Sequence, residues 1–308
     1  MISRRVLILN NQKTIMFLVN PLAGNSGGEK YYDEIKTQLV KYAINSEVYI
    51  SKKPGDIKKF ICAQDLDKYD GIATIGGDGT IHEAIAGLMC SKKTKDLSLA
   101  VFPGGSGNSF CNDLSIIDKD SALKALINFE ISPIDVMKIN YGKKISYSAN
   151  IIGWGIASKV NLLAEKLRFL GGIRYSIASI ICIMKLKSQN MDFLIGKREI
   201  KGQGLLFLAL NTMHTGKGMK MAPNARLNDG LIDIIYFKKA SKLRVFKIFT
   251  QVFSGKHIND PLVEYYQVKS FEINTVSDQL NIDGENTGHT PIRVNVLPSS
   301  LNIFAEIQ

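Results

Sequence analysis

Residues 72–88 read IATIGGDGTIHEAIAGL, in which glycines around one aspartate separate two apolar stretches. The first stretch, ending at Ile75, is short, continuous and partly β-branched, which is typical of a strand buried on both faces. The second places apolar residues at helical spacing between Ile81 and Leu88. The segment therefore predicts a strand, a glycine turn and a helix in succession, which is the repeating unit of a parallel sheet.

The same alternation runs through the first 130 residues. Buried strands are predicted at 13–20, 46–50, 71–75 and 97–102, and amphipathic helices at 29–43, 55–66, 81–90 and 120–129. Strands that alternate with helices form a parallel sheet covered on both faces. The sequence thus predicts an N-terminal, doubly wound α/β domain.

After about residue 132 the pattern changes to apolar or period-two strand candidates. Only two helical stretches interrupt them, at about 157–187 and 241–254. We therefore expect an α/β plus β fold class, with the α/β domain over 1–132 and a mostly antiparallel β-sandwich domain with helices over 133–299. The last strand, about 300–308, could return to the first domain.

Composition limits the class of protein. The 308 residues exceed the usual size of one core, and 45% of them are hydrophobic, so two folded domains are expected. No apolar run is long enough to span a bilayer, and the start, MISRRVLILNNQK, reads as a strand or arm rather than a signal peptide. The four scattered cysteines indicate reduced thiols and no zinc site. We expect a cytoplasmic protein.

The net charge of +11 indicates an anionic partner such as a nucleotide, a nucleic acid or an acidic membrane surface, unless the charge serves solubility alone. Nucleic acid is the weakest of these, because no aromatic-rich basic motif accompanies the charge.

Three glycine loops leave predicted strand ends: NPLAGNSGG at 20–28, GGDGT at 76–80 and PGGSGNS at 103–109. The carboxyl ends of parallel strands meet at one edge of a sheet, where ligands bind. Glycine lets backbone N–H groups approach an anion, and a following helix N-terminus adds positive potential. These loops are therefore predicted to bind phosphate.

Asp78 opposes that prediction, since a bare carboxylate repels phosphate unless it meets a metal ion, a hydroxyl group or a proton in transfer. The alternative interpretation is structural: Asp78 or Thr80 caps the helix, with Glu83 completing a capping box. The loops fit neither a Walker A motif nor a dinucleotide fingerprint, and the His82–Glu83 pair lacks the second histidine of a metalloprotease.

At this point the chain resembles the bacterial lipid kinases that share the diacylglycerol kinase catalytic domain with sphingosine and ceramide kinases. Beyond the loops, the resemblance includes Ser51 followed by Gly55 and Asp56, NDGLIDI at 228–234 and DGE at 283–285. NAD kinases have a similar GGDGT loop and a related fold, but the later NDG and DGE motifs favour the lipid kinases. The GSGN loop and the His82–Glu83 pair are more similar to the sphingosine kinase branch.

The resemblance implies an ATP site and a magnesium site. The expected ATP-binding residues are Asn20, Ser51, Gly77, Asp78, Gly79, Thr80, Glu83 and Ser106. The expected Mg²⁺ ligands are the Asp229 carboxylate and the backbone carbonyls of Arg226 and Leu231. From the residues alone, Asn228–Gly230 could equally be a simple turn between strands.

The resemblance also implies a general base at Glu285, although the aspartate that matches Asp78 has that role in sphingosine kinases. Without the resemblance, Asp283–Glu285 reads as a hairpin turn. Both carboxylates thus stay catalytic candidates.

The expected function is ATP- and Mg²⁺-dependent phosphorylation of a hydroxyl group on a diacylglycerol-like or sphingoid lipid. The alternatives are an NAD kinase and an inactive nucleotide-binding membrane regulator. Two basic, apolar segments at 159–187 and 238–249 could be interfacial helices of a peripheral membrane protein, or ordinary amphipathic helices. Whether the chain forms a homodimer stays open.

Overall fold

The computed structural model of the protein describes residues 13–24, 27–91, 97–105, 107–185, 187–216, 218–275 and 278–307. The N-terminal strand or arm expected before residue 13 lies outside these ranges. The described chain forms two compact units. The first contains residues up to 105, 115–132 and 302–307, and the second contains 107–114 and 133–301.

The first unit alternates strands and helices, as expected. Its elements are β1 (Thr14–Val19), α1 (Gly28–Val40), β2 (Asn45–Ile50), α2 (Asp56–Ala63), β3 (Gly71–Gly76), α3 (Asp78–Cys90), β4 (Leu99–Pro103) and α5 (Lys119–Asn128).

The four strands of the first unit are parallel and lie in the order β4-β3-β1-β2. The chain leaves β1 toward one edge of the sheet and leaves β3 toward the other, so the connections diverge between these two strands. Such a switch point opens a crevice at the carboxyl ends of the strands. Helix α1 packs against α5, and α2 packs against α3. The turns after β1 and β3 therefore lie at the position where α/β sheets bind ligands.

The second unit is mostly antiparallel. Its strands are β5 (Ile131–Tyr141), β6 (Lys144–Ser148), β7 (Ile151–Gly155), β8 (Gln189–Ile195), β9 (Arg198–Leu210), β10 (His214–Thr215), β11 (Met219–Lys220), β12 (Ile232–Lys238), β13 (Val263–Val268), β14 (Ser270–Ile273), β15 (Asn281–Ile282) and β16 (Ile292–Phe304). Its helices are α4 (Ser109–Asp113), α6 (Ile156–Lys166), α7 (Arg174–Met184) and α8 (Lys242–Val252), with 3-10 helices at Arg168–Ile173 and Lys256–Asn259.

Long β9 pairs with β8, β12 and β7, and all three pairings are antiparallel. Aromatic side chains fill the core on one face of this sheet, among them Trp154, Phe193, Phe207 and Phe271, all nearly inaccessible to solvent. A second apolar cluster contains residues of β9, β12 and α8. The predicted fold class, parallel α/β followed by antiparallel β, is confirmed.

Several elements differ from the expectation. The helical stretch expected over 157–187 consists of two helices, α6 and α7, separated by a 3-10 segment in which Gly171 adopts φ +59°. Strand β8 was not predicted, and neither was the short α4. The last strand was expected to be separate, at about 300–308. It is instead the end of one long strand, β16, in which Ile303 pairs with Leu99 of the first unit.

Candidate active site

The seven ATP-binding candidates that the structure describes in the first unit all lie just beyond the carboxyl ends of its strands. Asn20 follows β1, Ser51 follows β2, and Gly77 follows β3. Asp78, Gly79, Thr80 and Glu83 lie in the first two turns of α3. Ser106 lies outside the described residues.

Close backbone approach explains why these turns are rich in glycine. A Cβ on Gly104 would lie 2.8 Å from the Ala23 Cβ, and one on Gly77 would lie 3.0 Å from the Gly105 Cα. A Cβ on Gly28 would overlap the carbonyl oxygen of Asn20. The three loops thus pack directly on one another, and side chains at these positions would push them apart.

Backbone hydrogen bonds join the loops. Gly24 N donates to Gly104 O at 2.8 Å, and Gly104 N donates to Gly76 O at 2.7 Å. The Asn20 amide Nδ2 lies 3.4 Å from Thr80 Oγ1, which links the first loop to α3. The result is one connected strand edge made mainly of backbone, at which the N-terminus of α3 contributes partial positive charge.

Glu83 has a role that the sequence did not predict. Its Oε1 accepts a hydrogen bond from Gly55 N at 2.6 Å, and its Oε2 accepts one from Ile57 N at 3.1 Å. Glu83 therefore caps the N-terminus of α2 rather than its own helix. The capping-box interpretation, in which Glu83 supports the start of its own helix, is wrong, because its carboxylate bonds to α2 and the residue before α3 is Gly77, which has no side chain to complete the box.

This contact fixes the loop that contains Ser51. The backbone N–H of Ser51 donates to Val19 O at 2.9 Å, and Asp56 Oδ2 accepts from Lys52 N at 2.9 Å. The Lys52 N–H bond is the main cause that lowers the pKa of Asp56. Ser51 is thus held beside the end of β1.

In the second unit, the DGE motif forms the tight hairpin turn that the residues alone suggested. Ile282 and Glu285 exchange backbone hydrogen bonds at 2.8 and 2.9 Å, with Asp283 at φ +48° and Gly284 at φ +91°. Two successive positive φ values are typical of the turns that close two-residue hairpins. The turn leaves the Glu285 side chain exposed.

Asp283, by contrast, is buried and anchors the turn. Its Oδ1 accepts from Ser148 Oγ at 2.6 Å and from Ile151 N at 2.8 Å. Further N–H groups of Ala149 and Asn150 lie at 3.4 and 3.2 Å from its carboxylate. Asp283 is therefore saturated by structural donors, which separates its role from that of Glu285.

A chain of buried polar groups connects this turn with the NDG turn. Asn150 Oδ1 accepts from the Thr212 hydroxyl, and Asn150 O accepts from Asn211 N at 2.9 Å. Asn211 Nδ2 then donates to Asp135 O at 2.9 Å. Asn211 Oδ1 has no hydrogen-bond partner among the described residues, whereas the bonds made by Asn150, Thr212 and the Asn211 amide hold these groups in one geometry.

Asp135 organises the NDG turn directly. Its carboxylate accepts from Gly230 N at 2.6 Å and from Ser299 N at 2.8 Å. Burial raises the pKa of Asp135, while these two N–H groups oppose the shift. The turn itself leaves Asp229 exposed, with its Oδ1 accepting from Leu231 N at 2.9 Å.

The oxygen-rich NDG turn is compatible with Mg²⁺. No group of three or more His, Cys, Asp and Glu side chains in the described ranges could hold a metal ion, so carbonyl oxygens and water would have to complete the shell. Nearby Asp233 is fully buried, and its Oδ2 lacks a hydrogen-bond partner among the described residues. Burial raises the pKa of Asp233 to about 6, and the charge of Asp229 adds to the shift. The unpartnered Oδ2 of Asp233 and the exposed carboxylate of Asp229 are compatible with a cation at this turn.

Sequence reasoning missed a carboxylate–histidine pair in this unit. Asp113 Oδ1 lies 2.6 Å from His214 Nδ1, and Asp113 Oδ2 accepts from His214 N at 3.0 Å. Burial raises the pKa of Asp113 despite these bonds. Ser109 Oγ also donates to Gly216 O at 3.5 Å. The pair clamps α4, the helix that follows the PGGSGN loop, to β10.

The missed residues share a reason. Asp113 and His214 are 101 positions apart, and Asn150 and Thr212 are 62 apart, so only the fold brings them together. The one local signal was the pair of polar residues Asn211 and Thr212 directly after a strongly apolar strand. Polar residues at a buried strand end often mark a hydrogen-bonded network.

Comparison with known proteins finds a matching family model for each of the two parts of the chain. Residues 14–139 match the diacylglycerol kinase catalytic domain, and residues 150–305 match the YegS C-terminal NAD kinase beta sandwich-like domain. None of the helices in the described ranges is long and apolar enough to cross a membrane.

Curated relatives include lipid kinases of two kinds. The diacylglycerol kinase of Bacillus subtilis (strain 168) is 28% identical over 284 residues, covering 91% of this chain and 92% of that protein. Sphingosine kinase 1 of Arabidopsis thaliana is 24% identical over 321 residues, covering 87% of this chain but only 65% of the plant protein.

Among solved structures, a diacylglycerol kinase from Bacillus anthracis str. Sterne superposes with a TM-score of 0.80 over 96% of this chain and 97% of that chain, at 24% identity, which shows a shared fold. Since the two matched domains together account for most of the sequence, the chain belongs to the family of lipid kinases that share the diacylglycerol kinase catalytic domain.

Proposed function

We propose that the protein transfers the γ-phosphate of ATP to a hydroxyl group of a diacylglycerol-like or sphingoid lipid, with Mg²⁺ as cofactor. The observation that carries the proposal is the connected glycine edge at the switch point of the first unit. Its backbone N–H groups and the N-terminus of α3 suit a polyphosphate and leave little room for side chains. Family membership supports the same chemistry.

In this proposal the first unit binds ATP. Gly77 and Gly79 allow the phosphates to approach the backbone, and Thr80 and Asn20 orient the first loop toward α3. Ser51 offers a hydroxyl donor from the neighbouring loop, and the resemblance implies the same role for Ser106. Glu83 acts indirectly, because its two hydrogen bonds keep the Ser51 loop in place.

The second unit would supply the metal ligands and the base. Asp229 and the carbonyl oxygens of Arg226 and Leu231 would hold Mg²⁺, which supplies positive charge to the transferring phosphates. Glu285 accepts the proton of the acceptor hydroxyl as its oxygen attacks the γ-phosphorus, and ADP leaves. Glu285 suits this role better than its neighbour, since Asp283 is buried and already accepts hydrogen bonds from four residues.

A lipid acceptor requires that the enzyme reach a bilayer. We therefore also propose that the protein works in the cytoplasm as a peripheral protein on an anionic membrane surface, to which its net charge of +11 is suited.

The test is transfer of radiolabelled γ-phosphate from ATP and Mg²⁺ to a panel of acceptors: diacylglycerol, phosphatidylglycerol, sphingosine, ceramide and, as a soluble acceptor, NAD. We expect label in one lipid class, and loss of transfer without Mg²⁺. Label in NADP alone would replace the proposal by an NAD kinase. No transfer to any acceptor, together with intact ATP binding, would favour a regulator.

Single variants then test the roles. Glu285→Gln should lower kcat by at least about a hundredfold, the usual contribution of a general base, while ATP binding by calorimetry stays unchanged. Glu199→Gln, at an exposed glutamate on β9 of the same unit, is the matched control. Full activity in Glu285→Gln and its loss in Asp78→Asn would move the base to Asp78.

A further inference from the structure

Helix α8 presents two apolar stripes instead of one. Val245, Ile248 and Val252 are buried in the second unit, as the packing face of any amphipathic helix should be. Leu243 and Phe246 lie outside this face, and they are 85% and 46% exposed. On a helix that only covers a sheet, the outer face should be polar. The outer apolar stripe therefore needs its own explanation.

The charges around this stripe all have one sign. The segment 238–256 contains no Asp or Glu, and its basic residues are Lys238, Lys239, Lys242, Arg244, Lys247 and Lys256. Two of them have internal partners: Lys238 pairs with Glu264, and Arg244 pairs with Asp260.

The other four lysines are exposed, and no carboxylate lies within ion-pair distance of them in the described part of the chain. Lys242 and Lys247 are direct helix neighbours of the outer stripe. Large apolar side chains bordered by unpaired lysines are the composition of a helix that lies in a membrane interface. An acidic protein partner would also pair with the lysines, but an outer apolar stripe bordered by lysines matches the apolar interior and anionic headgroups of a bilayer more directly.

We propose that α8 docks the enzyme on an anionic lipid bilayer, with Leu243 and Phe246 inserted among the lipids and Lys239, Lys242 and Lys247 at the headgroup phosphates. This inference rests on the proposed function as a lipid kinase and adds the surface by which the enzyme reaches its acceptor. Helix α7, which packs against α8, also exposes apolar side chains, Ile180 and Met184.

The direct test is binding of the full chain to vesicles of phosphatidylcholine with 30% phosphatidylglycerol (about one lipid in three anionic), without ATP and without a lipid acceptor. Wild type should bind these vesicles and bind pure phosphatidylcholine far less. Leu243→Glu with Phe246→Glu should reduce the partition coefficient at least about tenfold, because both insertion and attraction are lost. Lys239→Glu, Lys242→Glu and Lys247→Glu together should have a similar effect.

The matched control is Ile145→Glu on β6, an apolar residue of the same unit that is 48% exposed. It should bind vesicles as wild type does. All these side chains are exposed, so circular dichroism and the thermal midpoint should stay unchanged. Equal loss of binding in Ile145→Glu and in the α8 variants would overturn the proposal, as would unchanged binding in the α8 variants.

A reporter variant measures insertion itself. Trp154 is the only tryptophan and is fully buried, so Leu243→Trp adds one exposed indole to a constant background. On anionic vesicles its emission should shift to the blue and be quenched by brominated acyl chains. If the Leu243→Trp variant binds the vesicles and its tryptophan emission does not change, insertion of this face is overturned.

Two other outcomes are distinguishable. If light scattering finds a dimer that the double glutamate variant dissociates while vesicle binding is unchanged, the stripe binds a second copy and the proposal is wrong. If vesicle binding follows the expectation but no acceptor is phosphorylated, the docking surface stands and the kinase assignment fails. In the successful case, the α8 variants lose activity on diacylglycerol in vesicles but keep it on a soluble short-chain diacylglycerol.

Discussion

The two units build their candidate sites from opposite materials. The first unit uses backbone: its three loops approach so closely that a single Cβ would disturb them, and its side chains mainly hold loops in place. The second unit uses buried carboxylates, since Asp283 and Asp135 each fix the turn that presents an exposed acidic residue. A site for a polyanion needs donors and space, whereas a site for a cation and a proton needs oriented carboxylates.

The difference teaches that acidic residues in one motif can have separate roles. In DGE the first carboxylate is structural and the second is available for chemistry. In the first unit an acidic residue close to one loop supports another loop. Glu83, which follows the GGDGT loop, holds the loop that contains Ser51.

The largest expected effect breaks the close approach in the first unit. Gly28→Ala should destabilise the protein by about 4 kcal/mol or prevent folding, because its Cβ would overlap the backbone oxygen of Asn20. Urea denaturation measures the change. Gly202→Ala on β9 is the control, since its Cβ would meet only the Tyr236 hydroxyl at 3.8 Å. Comparable stability of Gly28→Ala and Gly202→Ala would show that the loops can move apart at little cost in free energy.

The second prediction divides the DGE turn. Asp283→Asn should lower the free energy of unfolding by about 3 kcal/mol, because the amide NH₂ would face buried N–H donors. Glu285→Gln on the same turn should change stability by less than about 0.5 kcal/mol, as expected for an exposed side chain. Thermal and urea unfolding of both variants provide the comparison. Equal destabilisation would contradict the division of roles.

The third prediction concerns how the stability of the protein depends on pH through two buried residues of the second unit. Burial lowers the pKa of His257 to about 4, and its Nε2 bonds to Met221 O at 3.0 Å. The unfolded chain therefore binds this proton first, and stability falls as pH drops from about 6.5 toward 4. The raised pKa of Asp233, about 6, has the opposite sign, because the folded state binds that proton first and gains stability below pH 6.

The two contributions oppose each other in wild type, so variants should separate them. Asp233→Asn should make stability fall more steeply, by about 2 kcal/mol between pH 6 and 4, and His257→Gln should make it fall less. Urea midpoints measured across this range test both slopes. Parallel profiles for wild type and both variants would contradict the assignment.

The smallest expected effect concerns Glu83. Glu83→Gln should cost about 1 kcal/mol, because it weakens a charged cap on α2, and it should raise the KM for ATP through the Ser51 loop with little change in kcat. Glu29→Gln, an exposed glutamate in the first turn of α1, is the control for charge removal. A change in kcat alone would place Glu83 in the chemical step instead.

Much of this comparison was accessible from the sequence. Local signals predicted the alternating elements of the first unit, because buried strands and helices there carry continuous periodicity and glycine turns. The same signals located the NDG and DGE turns. They failed where tertiary contacts decide: Glu83 caps another helix, and Asp113 finds His214 across 101 residues. Strand β8 was missed since its sequence, QNMDFLI, begins with polar residues and lacks strict alternation.

Strand β16 bears on how the chain acquires its structure. It begins beside β14 and ends beside β4, and Phe304 near its end is fully buried and packs against Phe129. The first unit therefore lacks part of its core until residues 302–307 have been synthesised, long after its own strands leave the ribosome. During translation the first unit therefore stays incomplete until this segment, which follows the second unit in the sequence, has been made.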